Sequence, residues 1–128
     1  MKEITTSDLT KVLGFNPSAE QIAAIVSPME PSMIVAGAGT GKTTVMAGRI
    51  AWLIMTQQVP PDRILGLTFT TKAANELLTR VRSFLPAALK YLPDESAYAD
   101  LGEPVISTYN AFGSRLLKEH ALRLGLEP

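Results

Sequence analysis

A chain of 128 residues, 46% hydrophobic and 19% charged, has room for one domain and one core, and that balance excludes a disordered polypeptide. Twelve basic residues against twelve acidic ones leave a net charge of zero, so a protein that grips nucleic acid by bulk charge is excluded; any such contact depends on a few placed groups. There is no cysteine, which removes disulfides, thiolate metal sites and cysteine nucleophiles together, and the single histidine, His120, cannot build a metal cluster alone.

Met1 to Asp8 carries charges and threonines rather than an apolar core, so it does not read as a signal peptide. The apolar run around Ile50 to Met55 is far short of a bilayer span. The expectation is a soluble, cytoplasmic protein with no membrane partner.

Residues 1–17 read as a loose lead-in that ends at Pro17. Ser18 is placed to cap a short helix from Ala19 to Val26, with Ile22, Ile25 and Val26 on one face, and Pro28 and Pro31 stop it. Ser32 to Ala36 is a short run of β-formers between prolines and glycines, the pattern of a buried parallel strand. A helix is expected to start near Lys42, because Met46, Ile50, Leu53 and Ile54 recur at helical spacing. Arg63 to Thr70 predicts a second strand, and Thr71 to Phe84 a helix with Ala73, Leu77, Val81 and Phe84 on one stripe. Pro86 to Gly102, with two prolines after Phe84 and mixed charge, is expected to be a loop or short helical insert. Pro104 to Thr108 predicts a third strand, and Tyr109 to Leu124 a last helix with Phe112, Leu116, Leu117 and Leu124 facing inward.

Strands alternating with helices of this length predict an α/β fold, a parallel sheet with crossover helices. Ligands of such sheets bind beyond the carboxyl ends of the strands. The three predicted strands end at the glycine-rich loop, at Phe69-Thr70, and at Thr108-Tyr109-Asn110.

Ala36-Gly37-Ala38-Gly39-Thr40-Gly41-Lys42-Thr43 has the composition of a P-loop. Backbone N–H groups must turn inward to meet phosphate oxygens, and Gly39 and Gly41 free the backbone for that path. The helix that follows aims its positive dipole end at the same phosphates. Lys42 is the cation for the β- and γ-phosphates, and the Thr43 hydroxyl is the natural Mg²⁺ ligand, so a nucleoside triphosphate with Mg²⁺ is the expected ligand. Ala36 stands where the general pattern has its first glycine. The bland alternative is a glycine-rich turn with a chance lysine.

The blocks "AGAGTGKT", "LGLTFTTKAANELLTRV" and "ISTYNAFGSRLL", in this order, resemble the UvrD/Rep-type superfamily 1 DNA helicases, whose P-loop begins with alanine. Gln21 in "NPSAEQIAAI" is similar to the family's adenine-reading glutamine, and "LGLTFTTKAANELLTRVRS" looks closest to the AdnB-like subunit of bacterial AdnAB helicase–nucleases. The resemblance implies a P-loop NTPase of RecA-like fold, with residues 18–128 as the N-terminal portion of its ATP-binding domain. It implies that Gln21 contacts adenine and that Ala36 through Thr44 holds the nucleotide, with Lys42 and Thr43 serving hydrolysis. It implies single-stranded or duplex DNA along Phe69, Thr70, Lys72, Thr108, Tyr109 and Asn110. Three positions depart from the family: Thr71 replaces an asparagine, Asn110 a frequent histidine, and Thr44 a frequent arginine.

Hydrolysis also needs a carboxylate for Mg²⁺, a group that orients water and usually an arginine. Asp94, Glu95 and Glu103 lie in irregular sequence and are poor candidates, so the chain is expected to be a partial domain. The resemblance places the missing parts in further helicase domains of the same protein, and it makes a second helicase–nuclease subunit one further partner. It also implies 3′ to 5′ translocation and a role in DNA repair or recombination. Two other readings stay open: a different P-loop ATPase or kinase, and a non-catalytic nucleotide-binding interaction module. Arg80, Arg82, Arg115, Lys118 and Arg123 read as solvated helix faces.

Overall fold

The computed structural model describes residues 4–27, 33–36, 40–92 and 102–120; of residues 33–36 and 40–41 it describes the backbone alone. Three strands, β1 (Met33–Ala36), β2 (Leu65–Thr68) and β3 (Val105–Thr108), form a parallel sheet in the order β1-β2-β3. Around them run α1 (Thr6–Leu13), α2 (Ala19–Ile25), α3 (Thr40–Met55), α4 (Thr71–Leu89) and α5 (Tyr109–His120), with a 3-10 turn at Pro61–Arg63. This is the expected α/β arrangement. Parallel neighbours need a crossover, and α3 and α4 supply the two.

The core lies where α3 and α4 meet each other. Ile50, Leu53, Ile54 and Met55 of α3 and Leu77 and Val81 of α4 are buried to 1% exposure or less. Each such side chain contributes about 1.5–3 kcal/mol by leaving water. The α3 stripe is the one its spacing predicts, widened by the buried Ala47 and Ala51. In the first turn of α4 the buried alanine is Ala74 rather than Ala73.

The lead-in is a packed element, which corrects the expectation of a loose segment. Thr5 and Asp8 form a capping box: the Asp8 carboxylate accepts from the Thr5 N–H at 2.9 Å, and the Thr5 hydroxyl accepts from the Asp8 N–H at 3.3 Å. Leu9 and Val12 then enter the core, and Gly14, at φ 81°, ends α1 in the left-handed region that suits glycine. The Tyr91 hydroxyl, beyond the end of α4, lies 3.4 Å from the Asp8 carboxylate and ties the two elements together.

Helix α2 is seated on α3 by a close approach at Gly48, where an added Cβ would lie 2.5 Å from Ile25 Cδ1. The Arg49 guanidinium of α3 donates to the Ile25 carbonyl and the Ser27 hydroxyl, each at 3.0 Å, and to the Ser27 carbonyl. These carbonyls at the end of α2 would otherwise lack partners.

Two further expectations are corrected. Helix α4 does not stop near Phe84 but runs through Pro86 to Leu89. A proline inside a helix forfeits one hydrogen bond and crowds the carbonyl four residues back. Here Phe84, Ala88 and, just past the helix, Leu92 are buried on the far side of it, which offsets that cost. The remainder of the predicted irregular stretch, residues 93–101, lies outside the described residues. Helix α5 is described only to His120, so Leu124 and Arg123 also lie outside. Its described residues include none that is buried: Phe112 is half-buried, Leu116 is 40% and Leu117 53% exposed. Among the described residues its main contacts are with β3 and β2, and its leucines stay largely exposed.

Candidate functional site

The sheet register brings the three strand ends into one line. Ala36 pairs with Thr68 and Thr68 pairs with Thr108, each the last residue of its strand. Helix α3 begins at Thr40, α4 at Thr71 and α5 at Tyr109, so three helix starts rise from the same edge. The first-turn N–H groups of a helix lack intrahelical partners, and each of these helices turns the positive end of its dipole to that edge.

At the first of these ends, Thr40 and Gly41 form the opening turn of α3, two residues earlier than expected. Lys42 is exposed, Thr43 is buried to 4%, and Thr44 is half-buried. An exposed ammonium beside an enclosed hydroxyl at a helix start is the donor set that a metal-bound polyphosphate requires. Gly37, Ala38 and Gly39 lie outside the described residues, as do the side chains of Ala36 and Thr40.

The second and third ends build an aromatic platform. Thr68 is fully buried and its hydroxyl donates to the Thr70 carbonyl at 3.0 Å, closing a tight bend. Side chains alternate along a strand, so the residue after buried Thr68 points outward. Phe69 is 68% exposed, and its ring lies 5.1 Å from that of Tyr109, tilted by 33°. Thr70 and Thr108 act as helix caps: the Thr70 hydroxyl accepts from the Ala73 N–H at 3.0 Å, and the Thr108 hydroxyl from the Ala111 N–H at 3.1 Å. Both residues therefore fix the turns that present Phe69, Tyr109 and the exposed Asn110.

Lys72 is exposed and borders a depression of about 650 Å³ with Asn75, Glu76, Thr79 and Arg80. Gln21 is half-buried on α2, where its Oε1 accepts from the Ser18 N–H at 2.9 Å and its own N–H donates to the Ser18 hydroxyl. That capping box engages the side-chain oxygen rather than the amide nitrogen.

Arg80 corrects the expectation of a solvated side chain. It is half-buried, and its Nη1 donates to the Thr44 hydroxyl at 2.8 Å. Nothing in sequence spacing signals that contact, which joins residues 36 positions apart. Arg82 does read correctly as a surface charge. It pairs with Glu103 at 2.8 Å, and this hydrogen bond and charge hold the Glu103 carboxyl below its ordinary value. Among the described residues no group of three or more potential metal-binding side chains occurs, and no helix is long and apolar enough to cross a membrane.

Comparison with known proteins adds to this geometry. Residues 17–128 match the UvrD/REP helicase N-terminal domain family. The chain is 35% identical over 120 residues to DNA helicase II of Haemophilus influenzae, covering 93% of this chain and 15% of that protein. It is 38% identical over 112 residues to the ATP-dependent DNA helicase PcrA of Staphylococcus epidermidis, covering 88% and 14%. It is 39% identical over 118 residues to an ATP-dependent helicase/nuclease subunit of Pelotomaculum thermopropionicum, covering 87% and 9%. The chain thus spans less than a sixth of each of these relatives.

Proposed function

The chain belongs to the UvrD/REP helicase N-terminal domain family, and on that premise we propose that it is the nucleotide-binding portion of an ATP-dependent DNA helicase. The observation that carries this reading is the alignment of Ala36, Thr68 and Thr108 along one sheet edge. It supports the reading by bringing the start of α3 and the exposed Phe69–Tyr109 pair to one edge.

Lys42 sits where its ammonium meets the β- and γ-phosphates, and the Thr43 hydroxyl is the ligand for Mg²⁺. Bound Mg²⁺ would neutralise charge on the phosphate oxygens. The enclosed Thr43 hydroxyl at a helix start fits that ion, since oxygen donors suit magnesium. The amides from Gly37 to Gly41 complete the cradle, Ala36 and Thr44 flank it, and the Gln21 amide nitrogen donates to the base. Phe69 and Tyr109 stack on bases of a single strand, a mode that is indifferent to sequence. Lys72 neutralises a phosphate of that strand, while Thr70, Thr108 and Asn110 line its path.

In the whole protein, binding and hydrolysis of ATP would close and open this part against a second RecA-like domain. Such cycling would move the strand, in the 3′ to 5′ direction implied by the family resemblance, and unwind duplex DNA in the cytoplasm during repair or recombination. A relative named as one part of a helicase/nuclease favours a complex of several chains as the setting.

Calorimetric titration of the 128-residue chain with Mg·ATP tests the nucleotide half. Lys42→Ala is expected to weaken binding by about tenfold or more, because it removes a charge-assisted hydrogen bond worth about 1.5–3 kcal/mol. Equal affinity of the two proteins would contradict the assignment.

A further inference from the structure

We propose that Thr68 is a positioning residue for single-strand binding: without touching DNA, its buried hydroxyl locks the turn that holds Phe69 against Tyr109. The inference rests on the reading of those two rings as the platform for the strand.

Three polar side chains are buried among the described residues: Asp8, Thr43 and Thr68. Asp8 caps α1 and meets Tyr91, and Thr43 belongs to the proposed cradle. Thr68 is the most enclosed of the three, at 0% exposure, and it sits on the central strand between Ala36 and Thr108. A buried hydroxyl costs stability unless it finds an acceptor. Valine has the same branched shape and would fill a strand position without that need. The Thr68 hydroxyl therefore has a reason other than packing.

The bond it makes supplies that reason. The Thr68 hydroxyl donates to the Thr70 carbonyl at 3.0 Å, across Phe69. That carbonyl also accepts from the Ala74 N–H at 3.0 Å, so α4 satisfies it without help from the strand. The Thr70 hydroxyl is likewise taken up by α4, through the Ala73 N–H. Those two bonds fix Thr70 to its own helix. The bond from Thr68 ties the first turn of α4 back to β2, with Phe69 clamped between donor and acceptor. Phe69 is 68% exposed, so the core does not hold its ring. Its position depends on the residues that flank it and on Tyr109, 5.1 Å away, a separation at which aromatic rings attract. A ring held in place before DNA arrives loses less freedom on binding than one that DNA must order.

The test uses T68V, T68S, F69A and the T68V/F69A double variant. Three readouts apply: anisotropy of a labelled oligothymidylate, thermal melts, and nuclear Overhauser contacts between the Phe69 and Tyr109 rings without DNA. T68V removes the bond and keeps the shape. It is expected to melt close to wild type, to lose the ring contacts, and to bind the oligonucleotide about fivefold or more weakly, the lower range for one stacked base. T68S keeps the bond and loses a buried methyl. It is expected to melt lower, yet to keep the ring contacts and wild-type affinity. The double variant is expected to bind no more weakly than F69A, because Thr68 acts through Phe69. If T68V does not fold, T68C, whose thiol is a weak donor, takes its place. Ring contacts and affinity unchanged in T68V would overturn the proposal. So would affinity that falls in step with melting temperature across the variants, the mark of a merely structural threonine. Wild-type chain that fails to bind the oligonucleotide would instead overturn the reading of the platform, and the ring contacts, measured without DNA, would still decide whether Thr68 holds Phe69.

Discussion

Among single residues, Phe69 illustrates how local geometry dictates what a side chain can do. A phenylalanine in a strand of β-formers reads equally as core or as contact. The bend that Thr68 and Thr70 close turns it outward to 68% exposure, against Tyr109. A ring this exposed gains nothing from the core, and the platform stands at the edge where parallel sheets bind ligands. With a net charge of zero, the proposed affinity for a strand rests on stacking more than on bulk charge. F69A and Y109A are each expected to weaken binding of an oligothymidylate by about 1–3 kcal/mol, the value of one stacked base. Fluorescence anisotropy measures this, and the loss is expected to persist at high salt. Unchanged affinity in both variants would remove the rings from the strand's path.

Gln21, Thr70 and Arg80 mark what residue-level reading of the sequence can and cannot deliver. The capping roles of Gln21 and Thr70 are written in local spacing, since both bonds close within three residues. The Arg80–Thr44 bond is not, because it depends on how α4 packs on α3. The proposed roles of Lys42 and Thr43 rest on consecutive residues, because a phosphate cradle is a local device.

Among elements, α1 shows a signal that was present and unused. Thr5 and Asp8 have capping-box spacing, Leu9 and Val12 share a face, and Gly14 ends the helix. The helix is only 8 residues long, too short to be stable alone, so its existence depends on packing that the sequence does not display. Pro86 misled for the same reason: burial of Phe84, Ala88 and Leu92 across it outweighs a local rule. The stripe on α5 is correctly periodic, yet periodicity says only which face is apolar, not what covers it.

The docking of α1 onto the end of α4 has a pH signature. Burial, then the Asp8 charge, then the hydrogen bond to Asp8 raise the Tyr91 phenol above its ordinary value of 10.0. The folded state therefore favours the protonated phenol. Its contribution to stability is full below the unfolded value and is lost as pH rises through the raised folded one. Denaturant unfolding at about pH 9 and about pH 11 is expected to show a steeper alkaline loss for wild type than for Y91F. Equal losses would mean that the Tyr91–Asp8 contact does not form in solution.

Across the whole molecule, the parallel α/β class was legible because apolar runs and helical stripes alternate along the chain. Strand order was not, since three short strands allow several orders and only pairing decides among them. The observed order matters for function: it sets the start of α3 and the Phe69–Tyr109 pair on one edge. In the proposed reading, nucleotide and strand act on the same sheet.

That shared edge is most directly tested by backbone amide NMR of the chain titrated first with Mg·ATP and then with an oligothymidylate. ATP is expected to shift signals from Gly41 to Thr44 at the start of α3, and the oligonucleotide then those of Phe69 to Lys72 and Tyr109 to Ala111. Shifts scattered over the outer faces of α1 and α4, or none at the start of α3, would contradict it.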